Sequence, residues 1–241
     1  MNLMSLRACL QGVSAFRDLM QQPIFLHTID LLDALNVRQG ERAMDAYCAL
    51  FHALRKEGFQ GMGLWLWDQL RYMESPYAKL AEMGGTDPAL ENAAQRDIET
   101  FVILAETDCD RFIDAMKELL PSDYAPVLAG LPRWRSSAPF DFASLTKFYR
   151  EQGSGLYARY RAFLWEDGHL IPVADPDCPK PQDLLGYEHQ RGQVEENTRL
   201  MMAGRQANNV LLFGDGGTGK SATVKSMLYL PGMEELRLIE I

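Results

Sequence analysis

The stretch NVLLFGDGGTGKS occupies residues 209–221 and places four consecutive apolar residues directly before a glycine-rich turn. An uninterrupted apolar run that begins with a β-branched residue is typical of a buried parallel strand. The turn satisfies the spacing G-x-x-x-x-G-K-[ST] at every fixed position. With the helix predicted over residues 221–229, this strand and turn indicate the opening of an α/β domain that holds phosphate groups.

The predicted phosphate-binding loop consists of Gly214, Asp215, Gly216, Gly217, Thr218, Gly219, Lys220 and Ser221. Its glycines allow the backbone to turn sharply, so that several N–H groups point at phosphate oxygens and a nucleotide can approach closely. We expect the ammonium group of Lys220 to reach the β- and γ-phosphates. We expect the hydroxyl of Ser221 to hold a Mg²⁺ ion that bridges the same phosphates.

Composition and charge exclude several classes of protein. With 47% hydrophobic and 24% charged residues, the chain has the composition of a globular protein. Its net charge of -9 argues against broad, non-specific binding to nucleic acid, because such binding requires many basic residues. The sequence shows neither a signal-peptide pattern nor an apolar run close to the roughly 18 to 20 residues of a membrane helix.

The cysteines and histidines indicate no metal or redox site. The four cysteines lie far apart and lack the short spacings of zinc sites or redox motifs. No two of the four histidines fall on one helical face. We therefore expect reduced thiols and a cytoplasmic protein.

Residues 1–155 are predicted to form an all-α domain of about six or seven helices. Apolar residues recur there at helical spacing, for example at Phe25, Ile29 and Leu32. Further helices are predicted over residues 64–77, 108–120 and 142–152. Trp65 and Trp67 could mark a peptide-binding face of this domain, although packing in its core explains them more simply.

Residues 156–183 are predicted to form short strands and a proline-rich connector. Residues 165–168 (WEDG) suggest a turn between two strands, and four prolines follow between positions 172 and 181. Residues 184–241 are then predicted to begin the phosphate-binding domain, with a polar helix over 187–203 before the apolar run. The predicted fold is thus an α-helical N-terminal domain followed by the first β-α-β of a P-loop α/β domain.

Several quoted segments resemble one bacterial family. Residues 184–191 (LLGYEHQR), 196–199 (ENTR) and 207–213 (ANNVLLF), with the glycine-rich loop, are similar to the uncharacterised AAA-type ATP-binding proteins grouped as domain of unknown function 815. Those proteins also have a largely helical N-terminal region and a segment similar to residues 160–168 (YRAFLWEDG). The resemblance is most specific from Phe163 onward.

The resemblance implies that the ligands are ATP and Mg²⁺, and that Leu185, Gly186 and Tyr187 lie beside the adenine. An intact member would couple ATP hydrolysis to the motion of a protein partner, and it would form a homo-oligomer if its ATPase module is complete. Gly192 and Gln193 depart from the family pattern, because an apolar helix face is expected there.

The resemblance also implies that the catalytic parts of the module lie beyond Ile241, so the chain is expected to be truncated after its second strand. We assign no catalytic residue, expect the chain to bind nucleotide without hydrolysing it, and leave open whether it is an enzyme. Glu240 is expected to be a residue of the second strand, not a Mg²⁺ ligand. Without neighbouring strands, the strand at 209–213 should be loosely ordered or pair with a second copy.

Two other interpretations remain open. The chain could be a non-catalytic module whose helical domain binds a protein partner, with a vestigial phosphate loop. A GTPase or small kinase fits less well, because the helix before the loop favours the AAA-type pattern. The cluster Arg133-Trp134-Arg135 could contact phosphate or a partner, or form an ordinary loop around a buried tryptophan.

Overall fold

The computed structural model describes residues 2–241, which divide into two compact units. The first unit ends at Gly155, and the second comprises Leu156–Ile241. The first is helical, and the second combines helices with a small mixed sheet. Nowhere in residues 2–241 is a helix both long and apolar enough to cross a membrane.

Between residues 2 and 155, nine α-helices form the body of the first unit. They are α1 (Leu3–Gln11), α2 (Pro23–Asn36), α3 (Gly40–Lys56), α4 (Met62–Tyr72), α5 (Pro76–Glu82), α6 (Pro88–Glu106), α7 (Cys109–Lys117), α8 (Ala125–Ala129) and α9 (Phe142–Gln152). The prediction of an all-α unit is confirmed, but its count of helices was too low.

The count was too low partly because the helix predicted over 64–77 is two helices. α4 ends at Tyr72, and α5 begins at Pro76 with Ser75 as its N-cap. The Ser75 hydroxyl accepts a hydrogen bond from the N–H of Ala78, which fixes the start of the new helix. Proline at a first helical position has the correct φ and lacks only an N–H that would be unpaired there, so the Ser-Pro pair starts a helix instead of continuing one.

The side chain of Asp141 determines where α9 begins. Its carboxylate accepts a hydrogen bond from the Ser144 N–H at 2.7 Å, and the Ser144 hydroxyl reaches back to the Asp141 backbone. This reciprocal pair satisfies donors that the first helical turn leaves unpaired. The predicted bounds of 142–152 are confirmed.

Aromatic residues form much of the core of the first unit. Trp65 is buried, lies with its ring centroid 5.6 Å from that of Phe25, and donates its indole N–H to Glu57 at 3.0 Å. Trp67 is half-buried and stacks on Phe140. Both tryptophans therefore pack within the unit, as expected for large apolar rings with a polar edge.

The second unit contains a three-stranded sheet of order β2-β1-β3. β1 (Ala162–Glu166) and β2 (His169–Val173) form an antiparallel hairpin, and β3 (Leu238–Glu240) pairs parallel with β1. The hairpin turns at Asp167 and Gly168, which have φ values of 49° and 80°. Positive φ at both turn residues matches the twist of the flanking strands, so the short strands and turn predicted here are confirmed.

Helices α10 (Gly155–Arg159), α11 (Glu188–Met202) and α12 (Lys220–Ser226) accompany this sheet, and a 3₁₀ turn, Met227–Tyr229, extends α12. The second unit has a small apolar core of its own, formed by Val194, Met227, Leu230 and Met233. Gly192 and Gln193 of α11 are both exposed and lie outside this core.

The apolar run at residues 209–213 forms no strand, so this part of the predicted β-α-β is wrong for the structure. No hydrogen bond joins residues 209–213 to any other part of the described chain. Leu211 and Phe213 are 83% and 89% exposed, whereas Leu212 is half-buried against the small core. A strand is stabilised by its neighbours, and within residues 2–241 the parallel partner of β3 is β1.

Candidate functional site

The glycine-rich loop has a backbone that only glycine adopts readily. Gly214, Gly217 and Gly219 have φ values of 140°, 78° and 81°. A side chain at such angles would crowd the adjacent carbonyl oxygen, at a cost of about 1–2 kcal/mol per residue. An added Cβ at Gly217 or Gly219 would meet no atom of a more distant residue within 4 Å, so the backbone angle alone requires glycine there.

The loop is closed around the ammonium group of Lys220. This group donates to the carbonyl oxygens of Gly214 at 2.9 Å and Asp215 at 2.7 Å, and to the hydroxyl of Thr218 at 3.4 Å. The Thr218 hydroxyl in turn donates to the Asp215 carbonyl at 2.9 Å. An ammonium group has three donors, so these oxygens satisfy all of them. The positive charge is thereby held at the centre of the loop.

Ser221 follows in the first turn of α12 and is exposed. Within residues 2–241 no group forms a hydrogen bond with its hydroxyl. A hydroxyl beside a lysine that contacts phosphate could coordinate a Mg²⁺ ion bound to the same phosphates. No group of three or more histidine, cysteine, aspartate or glutamate residues suited to a metal ion occurs in the described chain.

Two contacts hold the segment that leads into the loop. The side-chain amide of Asn197, on α11, donates to the carbonyl of Asn208 at 2.7 Å and accepts from its N–H at 2.8 Å. Four residues later, Leu212 packs against the small apolar core. The Asn197 amide thus pairs with Asn208 as a neighbouring strand would, at the beginning of the apolar run.

A cavity of about 90 Å³ adjoins the loop. Its lining comes from the beginning of α11 and from the loop with its flanks: Tyr187, Gln190, Arg191, Leu212, Phe213, Thr218, Lys220 and Thr223. Small-molecule sites usually enclose roughly 300–1,000 Å³, so a nucleotide here would extend from the enclosed part into open solvent.

The structure brings one of the three predicted adenine-side residues to this cavity. Tyr187 lines it together with Lys220, whereas Leu185 and Gly186 do not. Leu185 is 92% exposed. Gln190 and Arg191 were not predicted, although their spacing from Tyr187, three and four residues along a helix, places all three side chains on one face.

Arg191 anchors the chain just before Tyr187. Its guanidinium donates to the Leu184 carbonyl and lies 3.8 Å from the Glu188 carboxylate. The Tyr187 carbonyl accepts the N–H of Arg191, and Tyr187 itself has a left-handed φ of 57°. These contacts hold the turn at residues 184–187 against the start of α11.

Glu240 lies in β3, as predicted, and forms an ion pair with Lys225 of α12 at 2.9 Å. The hydrogen bond to Glu240 raises the pKa of the Lys225 ammonium group. This pair links helix and strand in the second unit, and it leaves the carboxylate engaged with a cation other than a metal ion.

The basic cluster at residues 133–135 belongs to the packing of the first unit. Trp134 is buried, and its ring centroid lies 4.8 Å from that of Tyr47. Arg133 donates to the Asp110 carboxylate at 2.9 Å. The structure therefore favours the interpretation of an ordinary loop around a buried tryptophan.

Comparison with known proteins gives one finding for the second unit. Residues 158–241 match the model of a family described as "Protein of unknown function (DUF815)". This match confirms the resemblance to family 815 over the segment that holds the quoted motifs. Comparisons of the chain with curated proteins and with solved structures gave no match.

Proposed function

We propose that residues 158–241, which match the model of the DUF815 family, bind ATP with Mg²⁺ through the loop at residues 214–221. One observation carries the proposal: the loop is folded around the Lys220 ammonium group, beside a cavity that Tyr187 also lines. A concentrated positive charge next to an aromatic residue suits a nucleotide, which has phosphates at one end and a flat ring at the other.

Binding would exchange one set of acceptors of the lysine for another. In the structure, Lys220 donates to two carbonyls and one hydroxyl. Phosphate oxygens of ATP would replace them, because they carry a negative charge that the carbonyl and hydroxyl oxygens lack. Ser221 would hold the Mg²⁺ ion against the same phosphates.

We propose binding without hydrolysis for residues 2–241. Hydrolysis of ATP needs a residue that positions the attacking water; the lining of the cavity includes no carboxylate, and its glutamine, Gln190, lies on the α11 side and not in the phosphate loop. The proposal includes a P-loop fold of AAA type, in which residues 209–213 become a strand once other strands lie beside them. It also includes a protein partner, a homo-oligomer when the module is complete, and a cytoplasmic location.

The first test is binding of a fluorescent ATP analogue in the presence of Mg²⁺. We expect saturable binding by the unmodified chain and by Lys180→Ala, which removes an exposed lysine of the same unit. Lys220→Ala should abolish binding while the far-ultraviolet circular dichroism stays unchanged. Equal binding by Lys220→Ala and the unmodified chain would refute the proposal.

A second test addresses the metal. We expect Ser221→Ala to bind the analogue more weakly with Mg²⁺, and to lose most of the difference between Mg²⁺ and EDTA that the unmodified chain shows. A metal-dependence that Ser221→Ala leaves intact would remove Ser221 from the proposed site.

A further inference from the structure

The cavity beside the loop has two walls of different chemistry. Residues from the loop and its flanks form one wall, and Tyr187, Gln190 and Arg191 at the start of α11 form the other. Since Lys220 and the loop would take the phosphates, the base of a bound nucleotide falls to the α11 wall. This step rests on the proposed function.

One polar group of the α11 wall has no partner. The side-chain amide of Gln190 forms no hydrogen bond with any residue from 2 to 241. Arg191, in contrast, is held by the Leu184 carbonyl and lies close to Glu188. Gln190 is exposed and lines the cavity, so its donor and its acceptor are both available to a ligand.

We infer that Gln190 reads the base of the bound nucleotide and selects adenine over guanine. A glutamine amide presents one acceptor and one donor side by side, and adenine offers the complementary pair, its N6 amino group and N7. Guanine offers two acceptors, O6 and N7, at the same edge. The amide oxygen of Gln190 would then face an acceptor, and their repulsion would offset the one hydrogen bond that the amide N–H₂ can still donate, so Gln190 would contribute no net affinity for guanine.

The aromatic lining contributes affinity without this selectivity. Tyr187 and Phe213 both line the cavity, and Phe213 is largely exposed, so its ring is free to close on a base. Stacking on an aromatic ring tolerates every base, because each base has a flat face. The choice between bases therefore depends on the hydrogen-bonding edge that Gln190 contacts.

The inference is tested by the ratio of Mg²⁺-GTP to Mg²⁺-ATP dissociation constants, measured on the full chain. We expect the unmodified chain to bind ATP about tenfold more tightly than GTP. Gln190→Ala should weaken the binding of ATP about tenfold, leave the binding of GTP unchanged and bring the ratio of the two dissociation constants close to one. Gln190→Arg should reverse the preference, because arginine pairs with O6 and N7 of guanine.

Gln193→Ala is the matched control. It removes an exposed amide from the same helix at a position that does not line the cavity, so the ratio should stay at the unmodified value. A ratio that is the same in the unmodified chain and in Gln190→Ala would overturn the inference. An equal loss of both nucleotides in Gln190→Ala would overturn it as well, since that outcome assigns Gln190 to positioning the helix.

These outcomes are distinct from failure of the proposed function. If ATP binding depends on Lys220 but Gln190→Ala leaves the ratio of dissociation constants unchanged, the ATP site stands and the selectivity inference fails. If the unmodified chain and Lys220→Ala give the same nucleotide titrations, the ATP site fails and the selectivity inference falls with it.

Discussion

Replacement of Asn197 by alanine should release the segment that leads into the phosphate loop. The amide of Asn197 makes two hydrogen bonds to the backbone of Asn208, at 2.7 and 2.8 Å. A hydrogen bond contributes about 0.5–1.5 kcal/mol net, and both of these are exposed to competing water, so the lower end applies. The two bonds together should contribute about 1 kcal/mol, which corresponds to about a fivefold change in the local opening equilibrium.

Hydrogen exchange at the Asn208 amide measures this opening directly. We expect exchange to be about fivefold faster in Asn197→Ala than in the unmodified chain. Gln193→Ala, which removes an exposed amide one helical turn earlier, should leave exchange at Asn208 unchanged. If Asn208 exchanges at the same rate in Asn197→Ala and in the unmodified chain, the two hydrogen bonds do not hold the segment.

Asn197→Asp separates the two bonds. Aspartate keeps an acceptor for the Asn208 N–H but replaces the donor with a carboxylate oxygen that faces the Asn208 carbonyl. At pH 7 we expect exchange at least as fast as in the alanine variant. Below about pH 4 the carboxylate gains a proton and can donate again, so the Asn197→Asp effect should shrink relative to the alanine variant.

Two further predictions concern the first unit. Asp97 is buried and accepts hydrogen bonds from the N–H groups of residues 14–16. Asp97→Ala should leave these donors unpaired and lower the free energy of unfolding, measured by urea titration, by about 3 kcal/mol. Asp45→Ala, which removes an exposed carboxylate, should change the free energy of unfolding little. Asp141→Ala removes the N-cap of α9 and should cost about 1 kcal/mol at pH 7. Hydrogen bonds from Ser144 lower the pKa of the Asp141 carboxyl. The contribution of this carboxylate to stability is therefore present above the ordinary carboxyl pKa near 4 and is lost as the pH falls through the lowered value. A stability loss in Asp141→Ala that is the same at pH 7 and pH 2 would contradict this account.

Structure determined by neighbouring residues could be predicted from the sequence. The start of α9 depends on Asp141 and Ser144, three residues apart, and the hairpin depends on the adjacent residues Asp167 and Gly168. The break between α4 and α5 has an equally local signal, the Ser75-Pro76 pair, which a prediction from helical periodicity alone does not detect. In each case a few adjacent residues contain the whole physical cause.

Pairing between distant segments could not be predicted in this way. β3 pairs with β1, although most of the second unit separates them along the chain. The apolar run at residues 209–213 has the composition of a buried strand, but composition does not supply the neighbouring strand that would bury it. The run therefore stays open while the less apolar β1 becomes the central strand.

In the candidate site, too, some residues could be predicted from local sequence and others could not. Motif spacing identifies the loop residues, because their role depends on the backbone of eight consecutive positions. Gln190 and Arg191 had no such signal, since polar residues near the start of a polar helix are ordinary. Only their spacing from Tyr187 could have suggested that they face the same ligand.

This difference explains how the loop folds without its strand. The loop depends on glycines that accept unusual backbone angles and on Lys220, whose ammonium group binds the oxygens of residues 214, 215 and 218. All of these lie within seven residues of one another, so the loop needs no partner from elsewhere in the chain. Its conformation is a local property and the strand is a long-range one. For this reason, nucleotide binding and base selectivity can both be measured on a chain in which residues 209–213 remain open.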